Sequence, residues 1–216
     1  MVKKRTYGDR CGVARALDVV GERWALLVVR ELLLGPKRFT DLRAGLPHVS
    51  TDVLAQRLRE LERAGVVRRG TLPPPAGSRV YELTDRGRQL EPIVLELGRW
   101  GSVAPLPGED ARMGDDALII ALKSLFDPSK ADGLDARYEL RLDEQRFRAH
   151  IAAGRLELAR GSADAPDATI ATDAGTLATV LWHGGKLTEA RRAGDLQTSG
   201  DAQAVKRFLK LFPLPS

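Results

Sequence analysis

The sequence predicts an α+β fold in two units. The first is mainly helical with a two-stranded ribbon, and the second is built on a small sheet. Three observations lead there. Apolar residues recur at helical spacing through most of the first half, and two short β-prone runs interrupt them. The stretch GSVAPLPGEDARMGDD then loses all periodicity and is rich in Gly, Pro and Asp, as a linker is. Beyond it, short alternating runs return between helical ones. The expected division is 1–102, a linker at 103–116, and 117–216.

Val13, Leu17 and Val20 form one stripe of a first helix, which Gly21 ends. Glu22 to Leu34 is apolar almost all round, with Trp24, Leu27, Val28 and Leu32, so it reads as a buried central helix that GPK stops. RFTDLRAGL gives a third short helix with Phe39, Leu42 and Leu46 inward. Ser50 is a good N-cap for a fourth helix, and Gly65 closes that helix. VVRRG and SRVYELT are β-prone runs around a proline-rich tip, TLPPPAG. Thr84 can cap a last helix with Leu90, Ile93, Val94 and Leu97 on one face and Trp100 near its end. Pro92 should kink that helix or leave one backbone bond unmade.

Charge separates the halves. Of a net +5, residues through Ser102 hold 19 Lys and Arg against 12 Asp and Glu, while the remainder is mildly acidic. A basic half is the one suited to a polyanion. Three helices followed by a fourth and a ribbon is the order of a winged helix-turn-helix. There a leucine stripe (Leu54, Leu58, Leu61) docks the fourth helix, and the opposite face enters the major groove of double-stranded DNA. The outward positions are Asp52, Ala55, Gln56, Arg59 and Arg63, and Ser50, Thr51, Asp52, Ala55 and Gln56 would lie deepest. Gln suits adenine and Arg suits guanine. Lys37, Arg38, Arg68, Arg69 and Arg79 are placed at the edges, where cations neutralise phosphates. The simpler alternative for a single basic helix is a solvated face.

Residues of about 10–100 closely resemble the HxlR-type family of winged-helix transcriptional regulators. The resemblance is carried by Cys11, the GxRW turn at Gly21–Trp24, LLLGPKRFTDLRAGL, VSTDVLAQRLRELE and YELTDRG. It implies a homodimer built from the first helix and the helix after the wing, bound to promoter DNA with one recognition helix per half-site. Family members often carry Lys or Arg where this sequence has Asp52. That carboxylate is repulsive to phosphates. It could instead accept from a cytosine amino group or bind a neighbouring arginine, so no operator sequence carries over. Some family members sense oxidants through the cysteine that matches Cys11. A lone cysteine on a helix is more simply a small buried hydrophobe, and both readings stay open.

In the second half, Leu118, Ile119, Leu122, Leu125 and Phe126 form a helix face. ARYELRLD, RFRAHIAAG, RLELARG and DATIAT read as strands. Asp173 caps a helix with Leu177, Val180 and Leu181 inward, KLTEARRAGDLQTSG is turn-rich with one strand, and Asp201 caps a final helix. Residues of about 116–213 resemble the sterol carrier protein-like lipid-binding fold, through an acidic helix cap, a Gly-Lys turn, a strand near AGDLQTSGD and a closing helix. The resemblance implies a five-stranded sheet with helices around an apolar tunnel for a fatty acyl or sterol-like ligand. Leu118, Leu122, Phe126, Phe147, Leu177, Leu181 and Trp182 are the tunnel candidates. Each of them could equally be plain core.

The remaining patterns argue against other classes. His48, His150 and His183 are far apart and form no motif, there is no phosphate loop or nucleophile elbow, and no Cys/His set has metal spacing. No catalytic residue, metal or cofactor is expected. The single thiol and the lack of an apolar stretch after Lys3, Lys4 and Arg5 predict a cytoplasmic protein with no membrane insertion. The alternative function is a lipid-binding or carrier protein, or a dimerisation module, whose first unit serves for assembly.

Overall fold

The leucine stripe dictates the first unit. In the computed structural model, which describes residues 6–106, 108 and 112–215, Leu54, Leu58 and Leu61 are all at most 1% exposed. They lie on α4 (Thr51–Arg63), with α1 (Gly12–Val20), α2 (Ala25–Leu32) and α3 (Phe39–Gly45) before it. Val28, Val29 and Leu42 complete the core with no exposed surface. The ribbon is β1 (Val67–Thr71) paired antiparallel with β2 (Arg79–Leu83), in register from Val67–Leu83 to Thr71–Arg79. Lys37 adds an isolated antiparallel bridge to Tyr81.

Several expectations change. Trp24 is not helical: its φ is +78°, and α2 begins one residue later. Leu27 lies on the open side of α2, at 38% exposure. The helix after the wing is broken into α5 (Asp85–Arg88) and α6 (Glu91–Gly101). Pro92 falls in the first turn of α6, where a missing N–H costs nothing. The apolar stripes of α1 and α6 are only partly covered. Val20 and Val94 are buried, whereas Val13, Leu17, Ile93, Leu97 and Trp100 are 68%, 41%, 54%, 47% and 77% exposed.

The chain divides into two compact units, Met1–Val94 and Leu95–Ser216. The later turns of α6 belong with the second unit. A Cβ on Gly98 would come within 2.7 Å of the Ser124 hydroxyl, and Arg99 donates to the Phe126 carbonyl at 3.3 Å. Residues 107 and 109–111 of the expected linker lie outside the described residues.

The second unit comprises α7 (Asp115–Leu125), a 3₁₀ turn (Pro128–Ala131), β3 (Ala136–Leu142), β4 (Gln145–Ala152), β5 (Arg155–Arg160), β6 (Ala168–Thr172), α8 (Ala174–Trp182), α9 (Leu187–Ala193), β7 (Leu196–Gly200) and α10 (Ala202–Phe208). The sheet has five strands in the order β5-β4-β3-β6-β7, and only β3–β6 is parallel. Alternation along β3 explains its burial. Tyr138, Leu140 and Leu142 face the core, while Arg137 and Arg141 stay exposed. The helix α9 was not expected. Its sequence, LTEARRA, buries no residue and so carries no apolar stripe to read.

Candidate nucleic-acid interface

The geometry of α4 follows from its two ends and its buried side. Ser50 stands in extended backbone and its Oγ accepts from Val53 N at 3.4 Å, satisfying one of the free donors of the first turn. Gly65, at φ +70°, lets the chain leave the helix towards β1. Away from the leucines, Ser50, Thr51, Asp52, Gln56, Arg59 and Arg63 are exposed and Ala55 is half-buried. Arg59 and Arg63 have no ion-pair or hydrogen-bond partner among the described residues. Gln56 is engaged, donating Nε2 to Glu60 at 3.0 Å, and would release that contact to meet a base. Asp52 has no arginine partner, so that suggested role for it is not seen.

The edges are mixed. Arg38 and Arg79 are exposed and hold no carboxylate. Arg68 and Arg69 are 62% and 60% exposed and are tethered, Arg68 to Glu82 at 2.8 Å and Arg69 to Glu62 at 3.2 Å. Arg69 also stacks near Tyr81, 5.9 Å from the ring centre. Such exposed pairs are weak and readily exchanged for phosphate.

Lys37 is placed differently from the sequence expectation. Its side chain is 10% exposed and Nζ lies 2.5 Å from Glu31 Oε2. Glu31 is 2% exposed in the last turn of α2 and also takes Arg30 Nη2 at 2.7 Å. The physical reason is the cost of a bare carboxylate in an apolar helix, which a nearby cation relieves. Arg57 was also missed: its guanidinium bridges Glu60 and Glu22 at the inner edge of α4, with the side chain 12% exposed. The signal for the first cluster was available, since a Glu inside WALLVVRELLL demands a partner.

Cys11 is exposed and stands at the N-cap of α1, with Asp9 accepting from its backbone N–H at 2.8 Å. The buried-hydrophobe reading is therefore overturned. In the second unit, Leu118, Leu122, Phe147 and Leu177 have no exposed surface and Phe126 has 9%. Leu181 and Trp182 are half-buried, and Trp182 Nε1 donates to the Phe212 carbonyl at 2.9 Å. Phe212 packs between Phe126 and Phe208, at ring-centre distances of 6.1 and 4.9 Å. No described helix is long and apolar enough to cross a membrane.

A helical core, a capped helix whose open face carries Arg59 and Arg63, and a two-stranded wing define a winged helix-turn-helix protein. Residues 19–105 match the HxlR-like helix-turn-helix family, and the chain belongs to it. It is 42% identical over 88 residues to the uncharacterized HTH-type transcriptional regulator YvaP of Bacillus subtilis, covering 41% of this chain and 82% of YvaP. It is 35% identical over 94 residues to the HTH-type transcriptional regulator YodB of the same organism, covering 44% of this chain and 84% of YodB. The solved reduced form of YodB aligns with 47% of this chain and 100% of its own, at 33% identity and a TM-score of 0.39. Residues 116–216 match a second family, described as alkyl sulfatase C-terminal.

Proposed function

We propose that the chain is a DNA-binding transcriptional regulator that acts as a dimer on promoter DNA, with α4 in the major groove. The carrying observation is the open face of α4, where Gln56, Arg59 and Arg63 stand free of the core above a fully buried leucine stripe. Relatives that are transcriptional regulators support this reading. Arg38, Arg68, Arg69 and Arg79 hold the backbone phosphates, and Ser50, Thr51 and Asp52 approach the groove floor. The uncovered apolar residues Val13 and Leu17 on α1, and Ile93, Leu97 and Trp100 on α6, supply the surface for a second copy. The second unit is sterol carrier protein-like and takes a hydrophobic effector of the fatty acyl or sterol-like class. The five-stranded sheet supports that assignment. Leu118, Leu122, Phe126, Phe147, Leu177, Leu181 and Trp182 are the apolar residues that such a ligand would have to part on entry, since the first five are packed as core. An effector can switch DNA binding only through different affinities for the competent and incompetent states.

The test selects duplexes from a random library with the full chain and compares the winner with Gln56→Ala/Arg59→Ala. Loss of affinity and selectivity with an unchanged melt supports the reading. No selectable duplex, or untouched affinity in the variant, leaves α4 with a solvated face and the first unit with an assembly role.

A further inference from the structure

The second unit holds a surface depression of about 520 Å³ between the 3₁₀ turn and the end of α10, lined by Lys130, Asp132, Gly133, Leu134, Arg207 and Lys210. We propose that it is an anion site, taking the carboxylate, sulfate or phosphate head of a small organic molecule. The proposal rests on the reading of the second unit as an effector domain, and it names the chemistry of that effector.

Charge is the argument. Lys130 and Lys210 have no carboxylate within ion-pair distance among the described residues, and Arg207 has only Asp201, at 3.5 Å. Elsewhere in the unit, arginines beside buried carboxylates are closely held, Arg160 by Asp116 at 2.5 Å and Arg141 by Glu139 at 2.6 Å. The C-terminal end of α10 favours Arg207 and Lys210 through its dipole. That does not account for Lys130, which comes from the 3₁₀ turn. Three cations around one concavity repel each other, and an anion among them reverses the sign of that interaction.

A buried hydroxyl senses the charge of the site's arginine. Tyr138 is fully buried and packs its ring on Phe208, 4.9 Å between centres, next in sequence to Arg207. Its oxygen has no hydrogen-bond partner. Burial raises the phenol's pKa, Arg207 opposes it and the charges of Asp167 and Asp201 add to it, so the group stays a neutral donor. Tyr138 is not on the lining itself, so it bears on the site only through the charge of Arg207. Asp132 is the single carboxylate on the lining and works against an anion, so the site depends on all three cations. An apolar tail would lie on Leu134 and the lysine stems.

The experiment is isothermal titration of the full chain with octanoate, 1-octanol and inorganic phosphate, repeated on Lys130→Ala/Lys210→Ala and on Arg207→Ala. Octanoate should bind at least tenfold more tightly than octanol and lose at least tenfold in each variant, while the thermal midpoint of the exposed-lysine double variant stays unchanged. Phosphate binding as tightly as octanoate, with the same sensitivity, supports the site and makes its ligand a free oxyanion. Octanol equal to octanoate, with the variants indifferent, overturns the anion site and leaves the hydrophobic-effector reading standing. Octanoate binding that survives the substitutions places its head elsewhere and also overturns the site. Silence from all three probes overturns both the site and the effector reading.

Discussion

Glu31 and Lys37 form a buried ion pair, 2.5 Å between Nζ and Oε2, that ties α2 to the residue bridging the wing at Tyr81. It joins the central helix of the first unit to the ribbon, so it positions the wing. Lys37→Met leaves the carboxylate with Arg30 as its remaining close cation. We expect a loss of about 3 kcal/mol, at the lower end for breaking a buried pair, read by urea denaturation. Where the variant is still folded, the salt dependence of DNA binding should match the wild type. Full stability with a shallower salt slope would instead make Lys37 a phosphate ligand.

Arg38, Arg63 and Arg79 are exposed and their guanidinium groups hold no carboxylate among the described residues, although the Arg38 backbone N–H donates to Asp41 at 3.1 Å, so each can release a counterion when DNA binds. Substituting any one by Ala should weaken binding to all duplexes alike and lower the salt slope by about one. Arg59→Ala should behave differently, costing about 1–3 kcal/mol at one base pair and relaxing selectivity there. Fluorescence anisotropy across a salt series, with matched and single-substituted duplexes, separates the two. A purely uniform loss at Arg59 would move it to the phosphates.

Periodicity was a faithful guide where it reported burial within this chain. Leu54, Leu58 and Leu61, or Tyr138 and Leu140, could be read directly. It was silent about what covers an apolar stripe, so Val13, Leu17, Ile93 and Leu97 read only as members of stripes and stand exposed within this chain. A continuous apolar run hid the break at Trp24, because a left-handed residue is a backbone event with no compositional trace. A charged surface helix, α9, has no stripe to see. Lys37 was assigned to the surface by its charge. Only pairing decides that, and its partner lay six residues earlier in an apolar helix. The cations around α10 escaped notice because Lys130 reaches them from a distant turn.

Cys11 is exposed at the head of α1, with Arg10 and Arg15 near it in sequence and Asp9 on its backbone. If it is a sensor, diamide should change the DNA affinity of the wild type and leave Cys11→Ser unaffected. Non-reducing electrophoresis alongside would show whether two copies become linked through this one thiol. Wild-type affinity untouched by diamide would end the sensor reading.

Gly87 lies against the carbonyl of Val66, so close that a Cβ would sit 2.1 Å from the oxygen. Its N–H donates to Thr84 Oγ1 at 3.1 Å, and Thr84 Oγ1 in turn donates to Gly65 O at 2.6 Å. Gly87→Ala must push α5 off the turn between α4 and β1, and should cost about 1–3 kcal/mol as an overpacked site does. Gly101→Ala is the control: nothing lies within 4 Å of its Cβ position, and it should be neutral or slightly stabilising. Equal midpoints for the two variants in thermal melts would mean that α5 shifts freely.

Three carboxylates with lowered pKa values make the second unit acid-sensitive: Glu139, Asp173 and Asp127, which Ser129 holds by hydrogen bonds. Burial pushes the pKa of Glu139 up, but the hydrogen bond from Arg141, the Ala163 N–H and the charge of Arg146 outweigh it, and the net shift is down. Burial likewise opposes Asp173, which caps α8 by accepting from Thr176 N at 2.9 Å, and its net shift is also down. A depressed native pKa means that the unfolded chain binds more protons in acid. The stabilisation is therefore complete above the ordinary carboxylate range. It is lost as pH falls from about 4.5 through the lower native values. Asp173→Ala should cost about 1 kcal/mol at pH 7, as a lost N-cap does, and flatten the decline between pH 5 and 3 in urea midpoints. A parallel decline in wild type and variant would show that Asp173 titrates alike in both states, and the acid sensitivity would then belong to Glu139 and Asp127.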